Sequence, residues 1–79
     1  MKEIALRIKE IIAEILSVSI SEINDDTAIG DLIEWDSLHH LQIIAAIEKE
    51  FKIRFTPDVM MDLEDVCDIV NATEARVGK

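Results

Sequence analysis

In EWDSLHHLQIIAAIEKEF, residues 34–51, an Asp-Ser-Leu triplet opens the most apolar stretch of the chain. Leu38, Leu41, Ile44, Ile47 and Phe51 recur at helical spacing and predict a helix starting at Asp36 or Ser37 and ending near Phe51, with these five residues as its inward stripe. Ile43 and Ala45 widen the apolar surface beyond one stripe, which fits either deep burial or an exposed apolar spot used by partners. An Asp or Ser at the start of a helix is an ordinary N-cap. A hydroxyl there also sits among unpaired backbone N–H groups at the positive end of the helix dipole, where a phosphate is held well. Ser37 is therefore a candidate position for a phosphodiester-linked group. It is a poor hydrolytic nucleophile, since no Ser-His-acid constellation accompanies it.

Working outward, the preceding segment 17–35 reads as a loop, with polar residues and Gly30 inside it. A loop of this length is uncommon in a compact domain unless it is functional or packed down. Ile20, Ile23, Ile29 and Leu32 are spaced to dock on the core, and a short helical turn is expected around Ser21 to Ile23. Trp35 should anchor the loop where it enters the helix. Before the loop, Ile4, Ile8, Ile11, Ile12 and Ile15 share one face of a first helix over residues 2–16. After the central helix, Thr56-Pro57-Asp58 combines a cap, a proline at the first position and an acid in the first turn. It predicts a short third helix over residues 57–61. Asp62 can then cap a fourth helix, with Asp65 completing a variant capping box. This last helix turns Val66, Ile69, Val70 and Thr73 inward and frays near Gly78. The expected fold is all-α: one domain over residues 1–79, a small four-helix bundle of three longer helices and one short third helix.

The chain has 79 residues, 49% of them hydrophobic, so a small helical core is affordable and disorder is not expected. Its net charge of −9 leaves no basic patch to neutralise phosphates, which argues against nucleic acid as a partner. A single cysteine rules out an internal disulfide and a cysteine-based zinc site; Cys67 reads as a small core residue. The opening MKEIALRIKEII carries charges every few residues, so no secretory signal is expected, and no run is long enough to insert in a membrane. The expected location is cytoplasmic and the expected state a monomer.

Metal is not expected either. His39 and His40, adjacent on a helix, point about 100° apart and lack a third ligand, so they read as a solvated or partner-facing pair. Residues 25–36 superficially match a calcium loop, but Ile29 falls on a ligand position and the twelfth residue is Asp36, not a bidentate Glu. Asp25, Asp26 and Asp31 remain a candidate weak surface site for divalent cations. Met60 and Met61 are read as lining the core or an acyl-entry side between the second and third helices.

The D-S-L triplet, the following I-I-A-A-I-E-K-E-F and the later I-R-F-T-P-D together resemble an acyl carrier protein of the phosphopantetheine-binding superfamily. The resemblance covers nearly the whole chain. It implies a non-enzymatic carrier that holds an acyl intermediate as a thioester on a 4′-phosphopantetheine arm. The arm would be attached to Ser37 by a phosphopantetheinyl transferase using coenzyme A and Mg²⁺. It implies acyl-loading and acyl-transfer enzymes as further partners, in fatty-acid-like, polyketide or specialised acyl transfer. Asp36 matches the acid used at the transferase interface and Leu38 the hydrophobe that partners contact. His39, Leu41, Gln42 and Glu48 complete the expected partner-binding set. The resemblance also raises the expectation that cargo withdraws partly into the bundle core. The sequence departs from the common fatty-acid pattern, which carries acids shortly after the serine where His39, His40 and Gln42 stand here, and Lys49 separates Glu48 from Glu50. A specialised stand-alone carrier is the reading. The peptidyl-carrier pattern of two glycines before the serine is absent, since Ile33-Glu34-Trp35-Asp36 stands there, so an aminoacyl or peptidyl load is the less favoured alternative. The alternative outside the family is an unmodified acidic helical interaction module with Ser37 as a cap.

Overall fold

The computed structural model describes residues 2–77, the side chains of Lys2 and Glu3 excepted. Four helices carry the fold: α1 (Lys2–Leu16), α2 (Ser37–Phe51), the short α3 (Pro57–Asp62) and α4 (Val66–Val77). A single 3₁₀ turn, Ile20–Glu22, interrupts the long first loop. No strand occurs among the described residues; the nearest approach is an isolated antiparallel bridge between Ala28 and Asp65. The expected fraying at Gly78 lies outside the described residues.

The isoleucine face of α1 forms the floor of the core. Ile8, Ile11, Ile12 and Leu16 are buried, and Ile4 and Ile15 pack half-buried at the edge. This face packs on both α2 and α4, so tertiary burial compensates the modest helix propensity of its β-branched residues. Across the outer face, Arg7 reaches Glu50 of α2 at 3.1 and 3.3 Å and Glu10 at 3.2 Å. Both α1 and α2 end on non-glycine residues in the left-handed region. Ser17 has φ 58°, with Val18 N–H donating to Ala13 C=O, and Lys52 has φ 56°, with Ile53 N–H donating to Glu48 C=O. The hydrogen bonds are those of the usual glycine-terminated stop.

The first loop is tied down along its length. Thr27 and Asp25 carbonyls accept from Val66 and Cys67 at the start of α4, and Ile29 N–H donates to Glu64 C=O. Ile23 is buried and Ile29 and Leu32 pack against the core, as expected, but Ile20 is 40% exposed. It starts the 3₁₀ turn, whose residues all face away from the core. Gly30, at φ +93°, closes the last turn through its N–H to Trp35 C=O. That turn buries Trp35 completely and leaves Ile33 97% exposed at its tip.

Several expected placements are corrected. Leu38 and Leu41 are each 62% exposed; the buried residues of α2 are Ile43, Ile44 and Ile47. Of the expected inward stripe, Ile44, Ile47 and Phe51 do pack on the core, with Ile43 beside them. Ala45 is exposed with Leu38 and Leu41. The cap of α4 is Asp65, whose carboxylate accepts from Asp68 N–H at 2.8 Å, while Asp62 ends α3. Asp68 in turn accepts from Glu64 N–H at 3.4 Å. Cys67 is exposed, because it lies off the Val66, Ile69, Thr73 face that α4 buries. Met60 is half-buried against the core, whereas Met61 is 80% exposed. Asp25 pairs with Lys9 at 2.8 Å and Asp31 accepts from Ala28 N–H. Among the described residues no three acids, histidines or cysteines are grouped to hold a metal.

Candidate functional site

The candidate site is the start of α2. Asp36, in extended conformation, caps the helix: its Oδ1 accepts from His39 N–H at 2.9 Å, and its carbonyl accepts from His40 N–H. The same Oδ1 lies 2.8 Å from His39 Nδ1. An ionised carboxylate only accepts, so Nδ1 carries the proton of that contact. These two bonds, the backbone N–H first and the ring second, hold the Asp36 carboxyl below the usual aspartate range.

Capping at His39 leaves the amides of Ser37 and Leu38 as the helix-start donors with no intrahelical acceptor. Ser37 is the first residue of α2 and is exposed. Its hydroxyl thus stands free at the positive end of a helix of 15 residues. Helix-start amides and the helix dipole favour an anion at such a position. The donor set suits a phosphodiester.

Beyond Ser37 the outward face of α2 carries Leu38, Leu41, Gln42, Ala45 and Lys49, all exposed. Within the helix this face holds no acid; the exposed acid beside the serine is Asp36, at the cap. Glu48 and Glu50, the acids of this helix, have internal tasks: Glu48 accepts from Phe55 N–H at 2.8 Å, and Glu50 pairs with Arg7. The Arg7 bonds hold the Glu50 carboxyl below the usual range. Of the expected partner-binding residues, then, Asp36, Leu38, Leu41 and Gln42 stand exposed on one end of α2, His39 is half-exposed over the cap, and Glu48 lies at the far end, bound to the chain's own backbone.

His40 departs from the expected solvated pair. The Trp35 indole N–H donates to its Nδ1 at 2.9 Å, and its Nε2 lies 2.7 Å from the Leu63 carbonyl. The indole can only donate and the carbonyl only accept, which assigns the imidazole proton to Nε2. The two rings also stack, centroids 5.8 Å apart and planes at 30°. His40 therefore ties the loop, α2 and the link from α3 to α4 together. Sequence reasoning missed this because the acceptor is a backbone carbonyl 23 residues away. It also missed the exposure of Ile33 and Met61.

The phosphopantetheine attachment site family model matches residues 6–73. An acyl carrier protein of Solidesulfovibrio magneticus is 30% identical over 76 residues, covering 96% of this chain and 97% of that protein. A non-reducing polyketide synthase, pkiA, of Emericella nidulans is 30% identical over 79 residues, the whole of this chain. The chain spans 3% of the length of that synthase. No helix among the described residues is long and apolar enough to cross a membrane.

Proposed function

Because the chain belongs to the phosphopantetheine-binding acyl carrier family, whose members are non-catalytic and bear a covalent 4′-phosphopantetheine, we propose that Ser37 is the attachment residue here. The observation that carries this reading is the exposed Ser37 hydroxyl at the first position of α2, beside two amides with no intrahelical acceptor. Once attached, the group supplies a terminal thiol that holds an acyl cargo as a thioester. The protein's own residues do the positioning. Asp36 fixes the helix start and so the direction in which Ser37 projects. Leu38 and Leu41 offer partners an apolar footing next to the modified residue, with Gln42 beside them.

A carrier of this family works with a phosphopantetheinyl transferase and with acyl-handling enzymes. We assign this one to a dedicated set of such enzymes, in a specialised acyl-transfer or polyketide-like pathway. The acid-free outward stripe of α2 supports that choice, since rim charges set encounter rate and discrimination between partners. The proposed working state is a cytoplasmic monomer supplied by coenzyme A.

The test is intact mass. After incubation with a promiscuous transferase, Mg²⁺ and coenzyme A, the protein gains the mass of one phosphopantetheine. An unchanged mass under conditions that modify a control carrier refutes the proposal and leaves the acidic interaction module.

A further inference from the structure

The chain enters α2 with Trp35 turned wholly inward and Ser37 turned outward. Trp35 is the largest fully buried side chain of the molecule's described residues. The core also holds Ile43 and Ile47 of α2, Leu63 of the α3–α4 link and Val66 of α4, each no more than 5% exposed. One route for an acyl chain from Ser37 into this core runs between α2 and that link. The parting line is spanned by the His40 Nε2 contact to the Leu63 carbonyl, and His40 is held in turn by the Trp35 indole. Opening it strands the His40 Nε2–H and the Leu63 carbonyl, and a stranded buried polar group is costly. Adding methylenes to a filled core forces side chains off their rotamers as well. A cavity of about 410 Å³ lies elsewhere, between α1 and the C-terminal half of α2, with Ile11, Ile15 and Ala46 in its lining and the charged Arg7, Glu14, Lys49 and Glu50 around them.

Resting on Ser37 as the attachment residue, we propose that Trp35, His40 and the Leu63 carbonyl form a clasp that seals the bundle, so that this carrier holds short or polar acyl groups outside its core. The cargo class follows from solvation. The penalty for leaving an acyl chain in water grows with each methylene, so a carrier that cannot shelter its cargo suits groups with few methylenes or with hydroxyl or carboxyl substituents. The exposed Leu38, Leu41 and Met61 then serve partners and not the cargo's own fold.

The experiment uses the wild-type chain loaded by a promiscuous transferase from coenzyme A, acetyl-coenzyme A and octanoyl-coenzyme A, each product confirmed by intact mass. Failure of all three to load refutes the attachment reading and is distinct from the outcomes that follow. With loading confirmed, the melting temperature and the Trp35 indole N–H resonance are compared. The clasp predicts that the octanoyl form melts with the acetyl and unloaded holo forms, and that the indole resonance stays in place in all three. An octanoyl form that melts higher by about 4 °C or more, or that displaces the indole resonance, overturns the proposal.

Discussion

Replacing His40 with alanine removes three contacts at once and leaves their partners behind. The Trp35 indole loses its acceptor while staying at 0% exposure, the Leu63 carbonyl loses its donor, and the stacked ring is gone. A stranded buried donor costs about 1–3 kcal/mol. The lost aromatic stacking adds roughly 0.5–1 kcal/mol. The expected destabilisation is therefore about 1.5–4 kcal/mol, a large part of what a small domain has. At about 4–8 °C per kcal/mol for a chain of this size, the melting temperature falls by roughly 6–30 °C. Urea titration followed by helical circular dichroism and by Trp35 fluorescence measures the free energy, since the chain has one tryptophan, and a thermal melt measures the fall. His39→Ala is the control: it loses only an exposed ring contact to Asp36 and should melt close to wild type. A His40→Ala midpoint within the scatter of His39→Ala would refute the reasoning, because it would place His40 among solvated surface residues.

Three other outcomes follow from the geometry. Asp36 has a depressed carboxyl in the folded state, so its stabilising contribution is present above the unfolded aspartate value and lost as pH falls through the folded one. The stability gap between wild type and Asp36→Ala, read by urea titration, should hold constant around neutrality and close only on the acid side of the usual aspartate range; a gap that persists there contradicts an ionic cap. Thr73 is fully buried with Oγ1 unpartnered among the described residues, so Thr73→Val should raise stability by about 1 kcal/mol, and a loss would show that the hydroxyl has a partner. The acid-free outward face of α2 predicts slow turnover in steady-state elongation by a fatty-acid synthase, with Gln42→Glu plus Ala45→Glu recovering rate. Those positions are chosen because His39→Asp would set a like charge against Asp36. If the loaded wild type already matches an ordinary fatty-acid carrier, the charge argument fails.

The starts of α2 and α3 were legible because caps are local, and the extent of α1 because its periodicity is. Thr56-Pro57-Asp58 starts α3 with Thr56 accepting from Val59 N–H, and the isoleucine period of α1 runs its full length. The facing of α2 was legible in part: Ile44, Ile47 and Phe51 of the expected stripe go in, but the apolar residues continue round the helix, so periodicity did not show that Ile43 joins them while Leu38 and Leu41 stay out. The helix stops at Ser17 and Lys52 take a left-handed geometry without glycine, so the usual signal for it is missing. Within the site, Ser37 and Asp36 were readable from the motif and from helix-start chemistry. The bond from His40 to the Leu63 backbone was not, because any residue could supply that carbonyl.

The account stands most directly on the Ser37 hydroxyl, and intact mass of the Ser37→Ala variant tests it. Asp36 remains to cap α2 through His39 N–H, so the variant should keep its helical circular-dichroism signal. After incubation with transferase, Mg²⁺ and coenzyme A under conditions that modify the wild type, its mass should not change. Gain of one phosphopantetheine by the folded alanine variant would contradict the account, since the arm would then hang from another residue.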